Sequence, residues 1–115
     1  MERYVDILLE RMEIFKEWKE YIPKICSAVK LILPDARIYV FGSIVRGESV
    51  GRSDIDILIV SQNIPASNLE RAKIRSQIEQ AVNLPLHHPF EFHIVNLNEA
   101  EWYFERVREL EEVNG

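Results

Sequence analysis

Gly42-Ser43-Ile44-Val45-Arg46-Gly47, followed by Ser53-Asp54-Ile55-Asp56, sets a glycine-serine turn ten residues ahead of two aspartates. Arg37 to Phe41, just before the turn, is a run of β-branched and aromatic residues that predicts a strand ended by Gly42. Asp54 to Val60 predicts a second strand. Between them, residues 43–53 are short, polar and broken by Gly47 and Gly51. Gly42 lets the backbone leave its strand at unusual dihedrals and brings the next amides close to a ligand. Ser43 would open a short helix, whose free N–H groups and dipole favour phosphate oxygens. Asp54 and Asp56 lie two apart on a strand, so both carboxylates point to one face. Such a pair is costly unless a cation sits between them, and oxygen ligands beside a phosphate suit Mg²⁺.

The surrounding pattern places a third carboxylate. Gly42-Ser43 leaves the C-terminal end of one strand and Asp54 begins the next, so phosphate and metal can meet only if the two strands run antiparallel. Ser67-Asn68-Leu69-Glu70 has the form of a capping box and opens a helix running to about Val82. That helix is a crossover, which returns a parallel third strand at Phe90 to Val95 and sets Glu91 beside Asp54 and Asp56. Three carboxylates opposite a phosphate cradle form the layout of a two-metal phosphoryl-type site. Upstream, Val5, Leu8, Met12 and Phe15 recur at helical spacing over residues 2–21, with Ile7, Ile14, Trp18 and Tyr21 beside them. Pro23 suits the first turn of a second helix, which carries Ile25, Val29 and Ile32 and stops at Pro34. Pro34-Asp35 is a turn. Asn98 can cap a last helix bearing Trp102, Val107 and Leu110. The order predicts an α/β fold over residues 1–115, as one domain.

Gly42-Ser43, ten residues, then Asp54-Ile55-Asp56 resembles the signature of the polymerase-β-like nucleotidyltransferase superfamily; Arg46-Gly47 and Ser53 resemble the fuller pattern of its minimal members. The similarity covers roughly residues 36–96. It implies a small mixed sheet packed with helices, in which Asp54 and Asp56 bind metal and Gly42, Ser43, Arg46 and Ser53 hold the triphosphate of ATP. Glu91 takes the third carboxylate position, where the family commonly has aspartate. The resemblance also implies a partner. Minimal members often act beside a helical HEPN-type toxin, and some transfer AMP to a tyrosine of it as antitoxins. The alternative is a catalytically weak antitoxin that inhibits by covering its partner.

Composition restricts the remaining classes. The chain has 115 residues, 47% hydrophobic and 29% charged, with a net charge of −5. The acidity argues against general nucleic-acid binding. Apolar runs are too short to span a bilayer and no signal peptide opens the chain, so a cytoplasmic location is expected. Cys26, the lone cysteine, fits a packed thiol. His93 shares Glu91's face, and a hydrogen-bonded packing role is expected for it. His87 and His88 lack further ligands at zinc spacing. Trp102, Tyr103 and Phe104 cannot all face one way on a helix, and together with the N-terminal stripe they predict a homodimer or a helical partner.

Overall fold

The computed structural model describes residues 2–47 and 54–114. Its elements are α1 (Glu2–Lys16), α2 (Trp18–Ile32), β1 (Arg37–Phe41), α3 (Ser43–Arg46), β2 (Ile55–Val60), α4 (Asn68–Val82), β3 (Phe90–Val95), α5 (Leu97–Arg106) and β4 (Glu111–Val113). The strands form one sheet in the order β3-β2-β1-β4. β1 is antiparallel to β2 and β4, and β3 is parallel to β2. This is the expected mixed α/β sheet, with both strand directions as the site argument required.

Strand periodicity sorts the side chains onto two faces. One face carries Ile38 and Val40 of β1, Ile55, Ile57 and Ile59 of β2, and Phe90, Phe92 and Ile94 of β3. Against it pack Ile22, Ile25, Cys26 and Val29 of α2 and Ile78 and Val82 of α4, both sets at helical spacing. Cys26 is fully buried, and burial pushes its thiol pKa up. The opposite face holds Leu58, Val60 and Val95 under Ala100 of α5. Asp56, Glu91 and His93 have the same parity as these residues and so lie at the end of that thinly covered face.

Several boundaries differ from expectation. The N-terminal helix ends at Lys16 and α2 starts at Trp18, so Pro23 stands inside α2 and not in a first turn. It removes one helical hydrogen bond, tolerated because Pro23 and Lys19 both face water. Asn96, not Asn98, caps α5: its side chain accepts from Glu99 N while the Glu99 carboxylate accepts from Asn96 N, each at 2.9 Å. α5 stops at Arg106, where Val107 turns extended, and Leu110 belongs to the return segment. β4 was not foreseen. It covers β1's free edge, clamped by Arg37 Nε and Nη2 on the Glu112 carboxylate at 2.8 and 2.7 Å. Of the N-terminal stripe only Ile14 is buried. Tyr4, Val5, Leu8, Leu9 and Met12 are exposed.

The Pro34-Asp35 turn is tied to the end of β2. The Asp35 carboxylate accepts from buried Ser61 Oγ at 2.6 Å, Gln62 N at 2.8 Å and Asn63 Nδ2 at 3.2 Å. These bonds, Ser61's foremost, hold the Asp35 pKa below the usual carboxylate range. A lowered folded-state pKa gives stability that is complete above the ordinary value of about 4 and is lost as pH falls through the folded value. Asp35→Ala should therefore lower stability at neutral pH and flatten its decline in acid, as measured by urea unfolding across the acid range. Parallel pH curves for the two proteins would exclude the linkage.

Candidate active site

Gly42 brings the two halves of the site into contact. It ends β1 with φ +91° and ψ −161°, a backbone region that side chains strain to enter. A Cβ placed there would lie 2.5 Å from Asp56 Oδ2. The turn and the second aspartate are thus in van der Waals contact, which only glycine permits. Ser43 is the first residue of α3, as expected, and Arg46 is its last. Gly47 closes α3 at φ +71°, its N–H bonding back to Ile44 O.

The parallel register sets Asp56 directly opposite Glu91. Asp54 immediately precedes β2. The structure therefore gathers Gly42, Ser43, Asp54, Asp56 and Glu91 at one end of the sheet. Ser53 lies outside the described residues.

Each carboxylate has a different answer to its neighbours' charge. Asp54 Oδ1 accepts from Arg11 Nη2 of α1 at 2.9 Å, while Arg11 Nη1 binds the carbonyls of His87 and His88 at 3.1 and 2.8 Å. Asp56 Oδ1 lies 3.1 Å from His93 Nε2. The Glu91 pKa is raised by loss of water around its carboxyl, opposed by His93, and raised further by the charges of Asp56 and Asp54 and by a hydrogen bond to Asp54. Sequence reasoning missed Arg11 altogether. Its position inside an apolar helix carried no distance information. His93 is the hydrogen-bonded packing residue expected, and its hydrogen bond goes to the acidic cluster. Its other nitrogen, Nδ1, is 3.4 Å from Tyr103 Oη, and its ring lies beside those of Phe41 and Tyr103.

The donors fit a divalent cation. Asp56, Glu91 and His93 each offer an atom within 4.8 Å of the others, and Asp54 stands alongside. Clefts open on both sides. Beyond β3, a cavity of about 680 Å³ is lined by Glu91, His93, Tyr103, Arg71 and Arg75. Beside β1, one of about 470 Å³ is lined by Gly42, Arg46, Arg106 and Arg108, a local concentration of cations on an acidic chain. Arg106 is the last residue of α5, while Arg108 comes from the return after it, which the sequence reading had placed in a helix.

A family model described as a nucleotidyltransferase domain matches residues 13–112. The chain belongs to the nucleotidyltransferase domain family. A crystal structure provisionally described as a nucleotidyltransferase is 30% identical, covers 86% of this chain and 96% of its own, and has a TM-score of 0.57. A second, provisionally described as a nucleotidyltransferase from Sulfolobus solfataricus, shares the fold at 22% identity, 95% and 82% coverage and a TM-score of 0.52. No curated protein matches the chain.

Gly42→Ala should strain the backbone and displace Asp56, destabilising the fold by about 1–3 kcal/mol. Chemical unfolding would measure this, and a variant as stable as wild type would refute the close contact between the turn and Asp56.

Proposed function

We propose that this nucleotidyltransferase domain transfers AMP from ATP to a tyrosine hydroxyl of a helical HEPN-type partner, with release of pyrophosphate. The observation that carries the transfer chemistry is the pairing of Asp56 with Glu91 directly against the Gly42 turn. Order across the sheet gives each side a role: the turn and its arginines lie on the β1 side, and Glu91 lies on the β3 side. In-line displacement needs attacking and leaving groups on opposite sides of the phosphorus. Gly42, Ser43 and Arg46 then hold the β- and γ-phosphates, with Arg106 and Arg108 on the same cleft. The acceptor hydroxyl enters from the β3 side, where Glu91 can take up its proton. Asp54, Asp56 and Glu91 would hold divalent cations, Mg²⁺ with ATP, at one or two positions. Bound there, a cation supplies charge neutralisation for the triphosphate and lowers the acceptor's pKa.

Surface as well as resemblance supports a partner. Tyr4, Val5, Leu8, Leu9 and Met12 on α1, and Trp102 and Phe104 on α5, are apolar side chains left in water. Such faces suit a homodimer or a helical partner. The same surface favours the second reading, a binding antitoxin that inhibits by cover alone. The two differ in what they require: only transfer needs the carboxylates.

Incubation with ATP and the co-purified partner, followed by intact mass, should show a gain of one AMP on the partner. Asp54→Asn with Asp56→Asn should abolish it. Glu91→Gln should slow single-turnover transfer by roughly a hundredfold while changing nucleotide binding far less. Full inhibition of the partner by the double variant, with no mass change from wild type, would establish the binding antitoxin instead.

A further inference from the structure

His93 is placed as a ligand would be. It lies two residues beyond Glu91 on the same face of β3, and opposite Leu58 in register, so its imidazole reaches back toward Asp56 from one step further along the sheet. The rings of Phe41 and Tyr103, with centroids 5.2 and 5.8 Å from that of His93, hold it on two sides. Tyr103 Oη sits 3.4 Å from Nδ1. Metal-bound histidines characteristically give their second ring N–H to an oxygen, which fixes the tautomer and aims the other nitrogen at the ion. Without an ion, Nε2–H donates to the Asp56 carboxylate at 3.1 Å; a shift of that proton to Nδ1, toward Tyr103, would free the Nε2 lone pair for an ion held by Asp56 and Glu91.

We propose that His93 Nε2 is a direct ligand in this site, together with Asp56 and Glu91, and that the nitrogen makes the site select Mn²⁺ over Mg²⁺. The inference rests on the metal-dependent transfer reading above and adds to it the donor set and the ion. The three donor atoms lie within 4.8 Å of one another. Donors on one ion at bonds of about 2.1 Å lie about 3.0 Å apart when adjacent and about 4.2 Å when opposite, so rotation of the carboxylates, with an ångström or so of closure, would complete the set. Mg²⁺ takes oxygen ligands almost exclusively and imidazole is most suited to later transition ions; Mn²⁺ shares the carboxylate and phosphate chemistry of Mg²⁺ but, as a transition ion at the start of that series, also accepts a nitrogen. Two carboxylates plus one imidazole therefore match Mn²⁺ better than a set of three carboxylates would.

Mn²⁺ is the probe, with a non-hydrolysable ATP analogue bridged by methylene between the α- and β-phosphorus. Pulsed electron paramagnetic resonance of the wild-type complex should show coupling to a directly bound ¹⁴N. Calorimetry should give Mn²⁺ a tighter Kd than Mg²⁺ by roughly tenfold or more. His93→Gln keeps a hydrogen-bond donor for Asp56 but no imidazole, so a purely positioning role would survive it. In that variant, shown folded by circular dichroism, the nitrogen coupling should vanish and the Mn²⁺ preference collapse. Bound Mn²⁺ without ¹⁴N coupling, or an unchanged preference in His93→Gln, would overturn the ligand role and leave the carboxylate site standing. Failure of wild type to bind Mn²⁺ even with the analogue would overturn the metal site itself.

Discussion

Three carboxylates crowded at one end of a sheet are the constraint around which this fold is arranged. Like charges this close oppose folding unless each is neutralised. The chain supplies a separate remedy for every one: Arg11 for Asp54, His93 for Asp56, and a raised pKa for Glu91. None of the three remedies is local in sequence. Arg11 comes from α1, His93 from the neighbouring strand, and the pKa of Glu91 is raised first by its loss of water in the folded chain and then by Asp56 and Asp54. Each is also reversible. An ion pair can be broken and a tautomer changed, so a cation could take over from Arg11 and His93.

The backbone makes the same commitment. Gly42 adopts a positive φ and leaves room for Asp56 Oδ2 where a Cβ would otherwise stand. Such strain persists only where surrounding structure over-determines it. Here the surroundings are deeply buried: Ile55, Ile57, Leu58 and Ile59 of β2 are fully enclosed, with β1 and β3 paired on either side. Burying one such side chain is worth about 1.5–3 kcal/mol, so this one strand outweighs the strain at the turn. A rigid middle thus carries a loaded end.

Much of this was legible in sequence because short-range periodicity fixed the long-range geometry. Arg37–Phe41 and Phe90–Val95 follow from their alternation and composition, and the α4 crossover made β3 parallel to β2. Given those directions, Glu91 could fall only beside Asp54 and Asp56. The misses share a cause. Arg11, Arg106 and Arg108 reach the site by tertiary paths, and a lone cation in a helix or loop carries no sign of where its side chain ends. β4 is three residues long and exists because β1 had a free edge. His93 had the right parity for the site, but parity alone does not separate a packing ring from one whose Nε2 faces a carboxylate. The break at Glu17 escaped because the apolar spacing runs through it without a change of phase.

α1 joins the site to the molecule's least satisfied surface. Its C-terminal half is anchored by Ile14, with Phe15 half-buried beside it, while Tyr4, Val5, Leu8, Leu9 and Met12 stand in water. Arg11 lies at the boundary between the two halves. Its guanidinium bonds Asp54 and the carbonyls of His87 and His88, tying the helix to the start of β2 and to the loop before β3. The apolar core holds only one end of this helix, so these polar bonds contribute much of what sets its angle. Any force that reorients α1 must strain or break them, and loss of the Arg11 bond would return an uncompensated charge to Asp54. Conversely, a cation that draws Asp54 away from Arg11 loosens the helix carrying the exposed stripe. Arg11 thus links the charge of Asp54 to the helix that carries the apolar stripe, and Glu10 beside it adds a second tie, to His87.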